Sequence, residues 1–283
     1  VSGSVVDAAT GDGPGALPFD LALWQRAAGT VETGRLFELG REFHDGMPHY
    51  PTHPDFEVSL FRKHGDRVRG DGASSASCHL SFGGHTGTHI DALCHVSQDG
   101  RMHDGSPADN QRIQAGTAVG DAADLGVYVR RGVLFDIAAL DRVDRLSGDR
   151  VIGPEDLAQA AERQGFRVEH GDVVLIRTGW GQLWGAPGYI DHATPGPNYE
   201  AAKWLLDRGA GLVGSDTAVF EKGPVTDAAP VHRLLLFEQK VNIMENLDLE
   251  PIAAAGVSTF LFLALPLRVR GGTASPLRPV AIC

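Results

Sequence analysis

Several features that would each define a class are scarce in this chain. Only three cysteines, Cys78, Cys94 and Cys283, occur in 283 residues, with no CxxC pair and no zinc-finger spacing. Neither a disulfide scaffold nor a cysteine-held zinc module is encoded, and a reducing, cytoplasmic setting is expected. No apolar run approaches the ~20 residues that cross a bilayer. The longest, FLFLALPL over 260–267, suits a buried strand. Basic charge is in deficit: 25 Lys and Arg against 36 Asp and Glu leave a net charge of −11. The basic residues are scattered, which excludes a phosphate-binding surface. A small-molecule substrate is therefore expected, with neither nucleic acid nor membrane as partner. The opening VSGSVVDAATGDGPGALP lacks the basic and apolar regions of a signal peptide and reads as a flexible tail.

What is present alternates. LPFDLALWQRAAG has helical spacing at Leu21, Leu23, Trp24 and Ala27, and RLFELGREF then alternates like a strand. Three prolines and three histidines in HDGMPHYPTHP (44–54) forbid regular helix, and His44, His49 and His53 there read as solvent-facing rather than as ligands. The polar stretch 97–125 exceeds an ordinary connector and is a candidate lid. GVLFDIAAL is an apolar run of strand length, and GPEDLAQAAERQG is a helix bracketed by proline and glycine. GDVVLIRTGW is a buried strand, NYEAAKWLLDRGA a helix and GLVGSD a short strand. Strands alternating with helices predict an α/β fold around a buried sheet. No repeat divides the chain, so residues 1–34 are expected as tail and helix and 35–283 as one domain.

The densest chemistry lies in GGHTGTHIDALCHV (83–96), which holds His85, His89, Asp91 and His95. A regular helix would turn Asp91 ~240° away from His85, and a straight strand would separate them by ~20 Å. Neither allows one ion to be shared at ~2.1 Å, so the segment must curl. Gly83, Gly84 and Gly87 permit the curl, and Thr86 and Thr88 can satisfy the freed amides. Two imidazoles and a carboxylate form a facial set that leaves coordination positions open, as a catalytic divalent metal requires. Cys94 reads as core.

HTGTHIDALCH also resembles the HxGTHxDxxxH signature of the cyclase family of metal-dependent hydrolases, which includes bacterial kynurenine formamidase and isatin hydrolase. HDGMPHYP, VLIRTGW, GSDT, NIMENL and SPLRPVAI agree with further family stretches from about Arg35 onward. The resemblance implies a compact swivelling β/β/α-type domain with a mixed, partly barrel-like sheet, and a homo-oligomer, dimer or tetramer. It makes His85, His89 and Asp91 metal ligands and His95 the acid and base. His232, in PVHRLLL, and Glu245, in MENL, are implied as holders of a second ion. The chain is longer than typical kynurenine formamidases, and Leu93 stands where many members have proline.

The expected reaction is hydrolysis of a C–N bond in a small formamide, lactam or related cyclic or aromatic amide. One or two ions of Mn²⁺ or Zn²⁺ would activate water and the carbonyl, while His95 moves the proton. Phe82 and Trp180, with Trp184, are candidate pocket walls. His89-x-Asp91 with a distant histidine also fits an Fe(II) oxygenase, but those sit on all-β jelly rolls. A non-catalytic binding member of the same scaffold is the other alternative.

Overall fold

The run VVLIR is apolar without alternation, the pattern of a strand covered on both faces, and it forms the middle of a nine-stranded sheet. The computed structural model describes residues 20–110, 116–117, 119–190, 193–225 and 229–283. The sheet is built from β1 (Leu36–Glu38), β4 (His89–Asp91), β5 (Tyr128–Asp136), β7 (Val173–Arg177), β9 (Leu212–Ser215), β10 (Ile243–Glu245), β11 (Thr259–Ala264), β12 (Ala274–Pro276) and β13 (Val280–Ile282). Its order is β1-β13-β11-β5-β7-β9-β10-β4-β12. The block β5-β7-β9-β10 is parallel, and the strands on either side of it pair antiparallel. This mixed, curled sheet is the partly barrel-like architecture expected. Two short ribbons lie outside it, β2 (Glu57–Arg62) with β3 (Ser77–Ser81), and β6 (Val151–Ile152) with β8 (Gly196–Pro197).

Period-two alternation sorts the sheet's side chains into two cores. Val133, Phe135, Val174 and Ile176 face helices α3 (Pro154–Gln164) and α4 (Tyr199–Asp207). Leu134, Val173, Leu175, Phe260 and Phe262 face the other way, onto Ile90, Met244 and Leu277. Helix α3 begins at Pro154 behind Gly153 and ends at Gly165 in the left-handed region, as its sequence predicts. GVLFDIAAL, expected as a single strand-length run, is divided. Asp136 accepts from the Ala139 amide, capping the short helix α2 (Ile137–Leu140) and ending β5.

The expected tail over 1–34 lies in part outside the described residues. Within the rest, α1 (Leu21–Ala28) is capped by Asp20 and packs on β5 and β11 with Ala27 fully buried. From the stretch 97–125, Met102 and Ala122 join Ala92 and Cys94 in a small third core. The Cys94 amide donates to Gly120 O and the Ala122 amide to Gly272 O, so this stretch is stapled beside the histidine segment. Among the described residues no helix is long and apolar enough to cross a membrane.

Candidate metal centre

The curl demanded by the spacing turns at Gly87. Its φ is +69°, and a Cβ there would fall 2.6 Å from Met47 Cε and 2.8 Å from Phe43 Cζ. The left-handed backbone therefore favours glycine, and any side chain would also have to displace Met47 and Phe43. The Thr86 amide donates to Gly83 O, closing the turn that carries His85 back over β4. His89 and Asp91, two apart on that strand, share a face. Asp91 Oδ1 then lies 2.8 Å from His85 Nδ1 and 3.4 Å from His89 Nε2.

The later residues arrive by register and by a helix. Glu245 on β10 is paired directly opposite His89, and its Oε2 lies 3.5 Å from His89 Nε2. His232 ends helix α5 (Pro230–His232), which continues as a π-helical turn over Arg233–Glu238 anchored by Leu234, Leu235 and Leu236. Its Nε2 is 3.2 Å from Glu245 Oε1 and 3.8 Å from Asp91 Oδ2. Two triads result, His85/His89/Asp91 and Asp91/His232/Glu245, each with donor atoms within 4.8 Å of one another. Asp91 belongs to both, one oxygen toward each.

These donors are buried against one another. His89 Nε2 and both Asp91 oxygens are inaccessible to solvent, and what they face is the centre itself: His85, His89, His232 and Glu245. Their outer nitrogens are committed. His89 donates through Nδ1 to Gly87 O at 2.8 Å, and His232 through Nδ1 to the Glu221 carboxylate at 2.7 Å. His85 Nε2 rests 3.0 Å from Thr273 Oγ1. Ligating histidines are held in this way, with one ring nitrogen pinned so that the other presents its lone pair. The donor set thus fits a divalent cation.

Electrostatics agree. Burial disfavours charge on His89, yet the facing carboxylates of Asp91 and Glu245 outweigh it and push its pKa up to about 10. His232 is likewise raised, against burial, by Glu221 and Glu245. Burial favours the neutral forms of Glu245 and Asp91, but the histidines hold Glu245 down to about 2 and Asp91 well below the usual carboxylate range. The centre attracts positive charge strongly, and a bound cation would displace the protons the imidazoles otherwise carry. His95 differs. It ends the 3-10 turn Leu93–His95, its ring 4.2 Å from that of His85 and 6.2 Å from that of His232. Burial pulls its pKa down to about 4, outweighing the attraction of Asp91, so it is uncharged at neutral pH.

The remaining expected residues are placed variously. Phe82 stacks with Phe43 and Phe56, at 5.8 and 5.5 Å, just before the Gly83 turn. Trp180 is only 7% exposed and donates its indole N–H to Tyr189 O, so it is committed to the protein body. Trp184 packs edge-on to Tyr189 beneath the Arg41 guanidinium. Of the histidines expected to face solvent, His44 is exposed, but His53 is not free: its ring centroid lies 5.0 Å from that of His85. The sequence reading also passed over Glu221, Thr273 and Asn246. Asn246, at φ +59°, bridges Tyr189 Oη and Gly87 O, supporting the carbonyl that orients His89. An asparagine directly after a strand-end glutamate was the available sign, since asparagine tolerates the left-handed region.

Comparison with known proteins agrees with this geometry. Residues 37–222, more than half of the chain, match the family described as "Putative cyclase". The isatin hydrolase of Roseibium aggregatum is 25% identical over 230 residues, covering 75% of this chain and 76% of its own. The kynurenine formamidase of Bacillus cereus is 26% identical over 202 residues, covering 71% and 77%. A crystal structure described as a novel cyclase superposes with a TM-score of 0.84 at 26% identity, covering 94% of each chain. Both named relatives are hydrolases, and the residues around Asp91 suit the divalent metal of such an enzyme. Matched by the family model over most of its length and superposing on a cyclase structure, the chain belongs to the cyclase family of metal-dependent hydrolases.

Proposed function

We propose that this protein hydrolyses a C–N bond in a small amide, formamide or lactam, cyclic or aromatic, with His85, His89 and Asp91 holding one Mn²⁺ or Zn²⁺ ion and Asp91, His232 and Glu245 a second. The observation that carries the reading is the convergence of two buried triads on Asp91, with donor atoms within 4.8 Å of one another in each, beside the ring of His95, 4.2 Å from that of His85. A divalent ion bound there supplies Lewis acidity, polarising the substrate carbonyl and lowering the pKa of adjacent solvent. His95 accepts the proton that water loses as its oxygen bonds to the carbonyl carbon, then returns it to the nitrogen as the C–N bond breaks. Gly87 O and Glu221 keep His89 and His232 from turning during this cycle. The relatives' names, isatin hydrolase and kynurenine formamidase, support this bond class. The helices flanking the sheet argue against the jelly-roll oxygenase alternative, which oxygen uptake during turnover would reveal.

The test is elemental analysis of protein purified without added metal, followed by assay on N-formyl aromatic amines, isatins and lactams. His95→Ala should retain the wild-type metal content and lose about 10²- to 10⁴-fold in turnover. Unchanged turnover in that variant, or no hydrolysis of any member of the panel by wild type, defeats the reading.

We further propose that the chain works as a homo-oligomer in the cytoplasm. The ribbon β2–β3 supports self-association: Val58, Leu60 and Leu80 share one face by register and are 50%, 63% and 51% exposed. Arg62, Lys63, Arg67 and Arg69 near its tip complement an otherwise acidic chain. The free cysteines, Cys78, Cys94 and Cys283, suit a reducing compartment.

A further inference from the structure

The loop 44–54 is anchored far more firmly than a solvent-facing connector. The His53 amide donates to Tyr50 O at 2.8 Å, and the His53 carbonyl lies 3.0 Å from His49 Nδ1. His49 is itself fixed by Asp55 Oδ1, 3.0 Å from its Nε2. On the other side, Thr86 Oγ1 donates to Pro54 O at 2.9 Å, and a Cβ on Gly83 would come within 2.9 Å of Pro54 Cδ. The backbone is therefore pinned before and after His53, against the very turn that presents His85.

What this anchoring positions is the imidazole. It lies tilted over His85, 5.0 Å between centroids and 32° between planes, and 5.8 Å from the Tyr50 ring. Its Nδ1 is buried and has no hydrogen-bond partner. His53 stands in neither of the two triads that could hold an ion. A rigidly placed imidazole with a desolvated, unpaired nitrogen beside a ligand histidine is arranged to meet something that enters the site, since an unpaired buried polar atom is otherwise a net cost.

Resting on the amide-hydrolase reading above, we infer that His53 is a substrate-contacting residue, its free ring nitrogen hydrogen-bonding a polar group of the bound amide, and not a metal ligand. It sets affinity rather than carrying the proton, which is the task of His95.

The experiment compares wild type with His53→Ala and His53→Asn, the latter keeping a polar atom near the position of Nδ1. Metal per chain is measured first, then kcat and KM on N-formylaniline and isatin, then calorimetric binding of benzamide. Expected is unchanged metal content, a KM raised about 10- to 100-fold in His53→Ala with kcat much less affected, and partial recovery of KM in His53→Asn. Benzamide binding should weaken in parallel. A KM within twofold of wild type in His53→Ala, or equal loss of metal in both variants, overturns the assignment. If wild type binds benzamide but hydrolyses neither substrate, the hydrolase reading fails while the His53 contact is judged on benzamide alone. If wild type binds none of the three compounds, both fall.

Discussion

Glu221→Gln is nearly isosteric, yet it should separate the two triads. The Glu221 carboxylate accepts three hydrogen bonds, at Oε1 from the His232 amide (3.1 Å) and His232 Nδ1 (2.7 Å), and at Oε2 from the Val231 amide (3.3 Å). A glutamine keeps one oxygen. With that oxygen toward His232, its NH₂ opposes the Val231 N–H; flipped, it opposes both donors of His232. Either way the charge that raises the basicity of His232 is lost. Loss of such an outer partner typically weakens a metal about 10- to 100-fold, or roughly 1.4–2.7 kcal/mol. The His85/His89/Asp91 triad has different outer partners, Thr273 Oγ1 and Gly87 O, so its ion should be untouched. The assay is metal per chain under a graded chelator, with circular dichroism confirming the fold. Wild type should release two ions in two steps, and the variant should release the weaker one at about tenfold or more lower chelator. Equal weakening of both steps, or no change in either, would refute the assignment of Glu221 to His232; a single ion in wild type would refute the two-triad geometry itself.

Three further outcomes follow from the structure. Asp91→Ala should abolish binding of both ions, because its two oxygens serve both triads, and metal analysis showing one ion retained would sink that role. Asp172 is inaccessible to solvent, and burial lifts its pKa to about 6 against the opposing Glu169 amide and Arg131. A raised carboxyl pKa stabilises the fold fully below the unfolded value near 3.9, and that stabilisation is lost as pH rises through 6, by up to about 3 kcal/mol. Denaturant unfolding at pH 5 and pH 8 should therefore show Asp172→Asn gaining on wild type at the higher pH; an identical difference at both would contradict the sign. Leu60→Glu, in the middle of the exposed apolar face of β2–β3, should reduce the mass measured by light scattering to that of a monomer; an unaltered oligomer would move the interface elsewhere.

Local chemistry made much of this legible. Gly153-Pro154 and Gly165 delimited α3 because a missing N–H and a left-handed turn are properties of single residues. The unbroken apolar run of β7 announced a strand covered on both sides. The spacing of His85, His89 and Asp91, with glycine between, required a curl, since no regular element could bring the three together. GVLFDIAAL was harder, because its apolar pattern continues across Asp136 while a single cap hydrogen bond changes strand into helix.

Chain folding decided the rest. Glu245 faces His89 only through the register of β10 on β4, and Glu221 reaches His232 only because Phe220 and Val231 bring their segments together around the centre. His53 looked like one more polar loop histidine until the packing of Pro54 on Gly83 set it over His85. Spacing within one segment carries the geometry of donors a few residues apart, because backbone dimensions limit their reach. Partners held on different elements, whether 11 positions apart as Glu221 and His232 are or far along the chain as Glu245 is from His89, have no such limit written in the sequence, and their meeting is settled by strand order, register and burial.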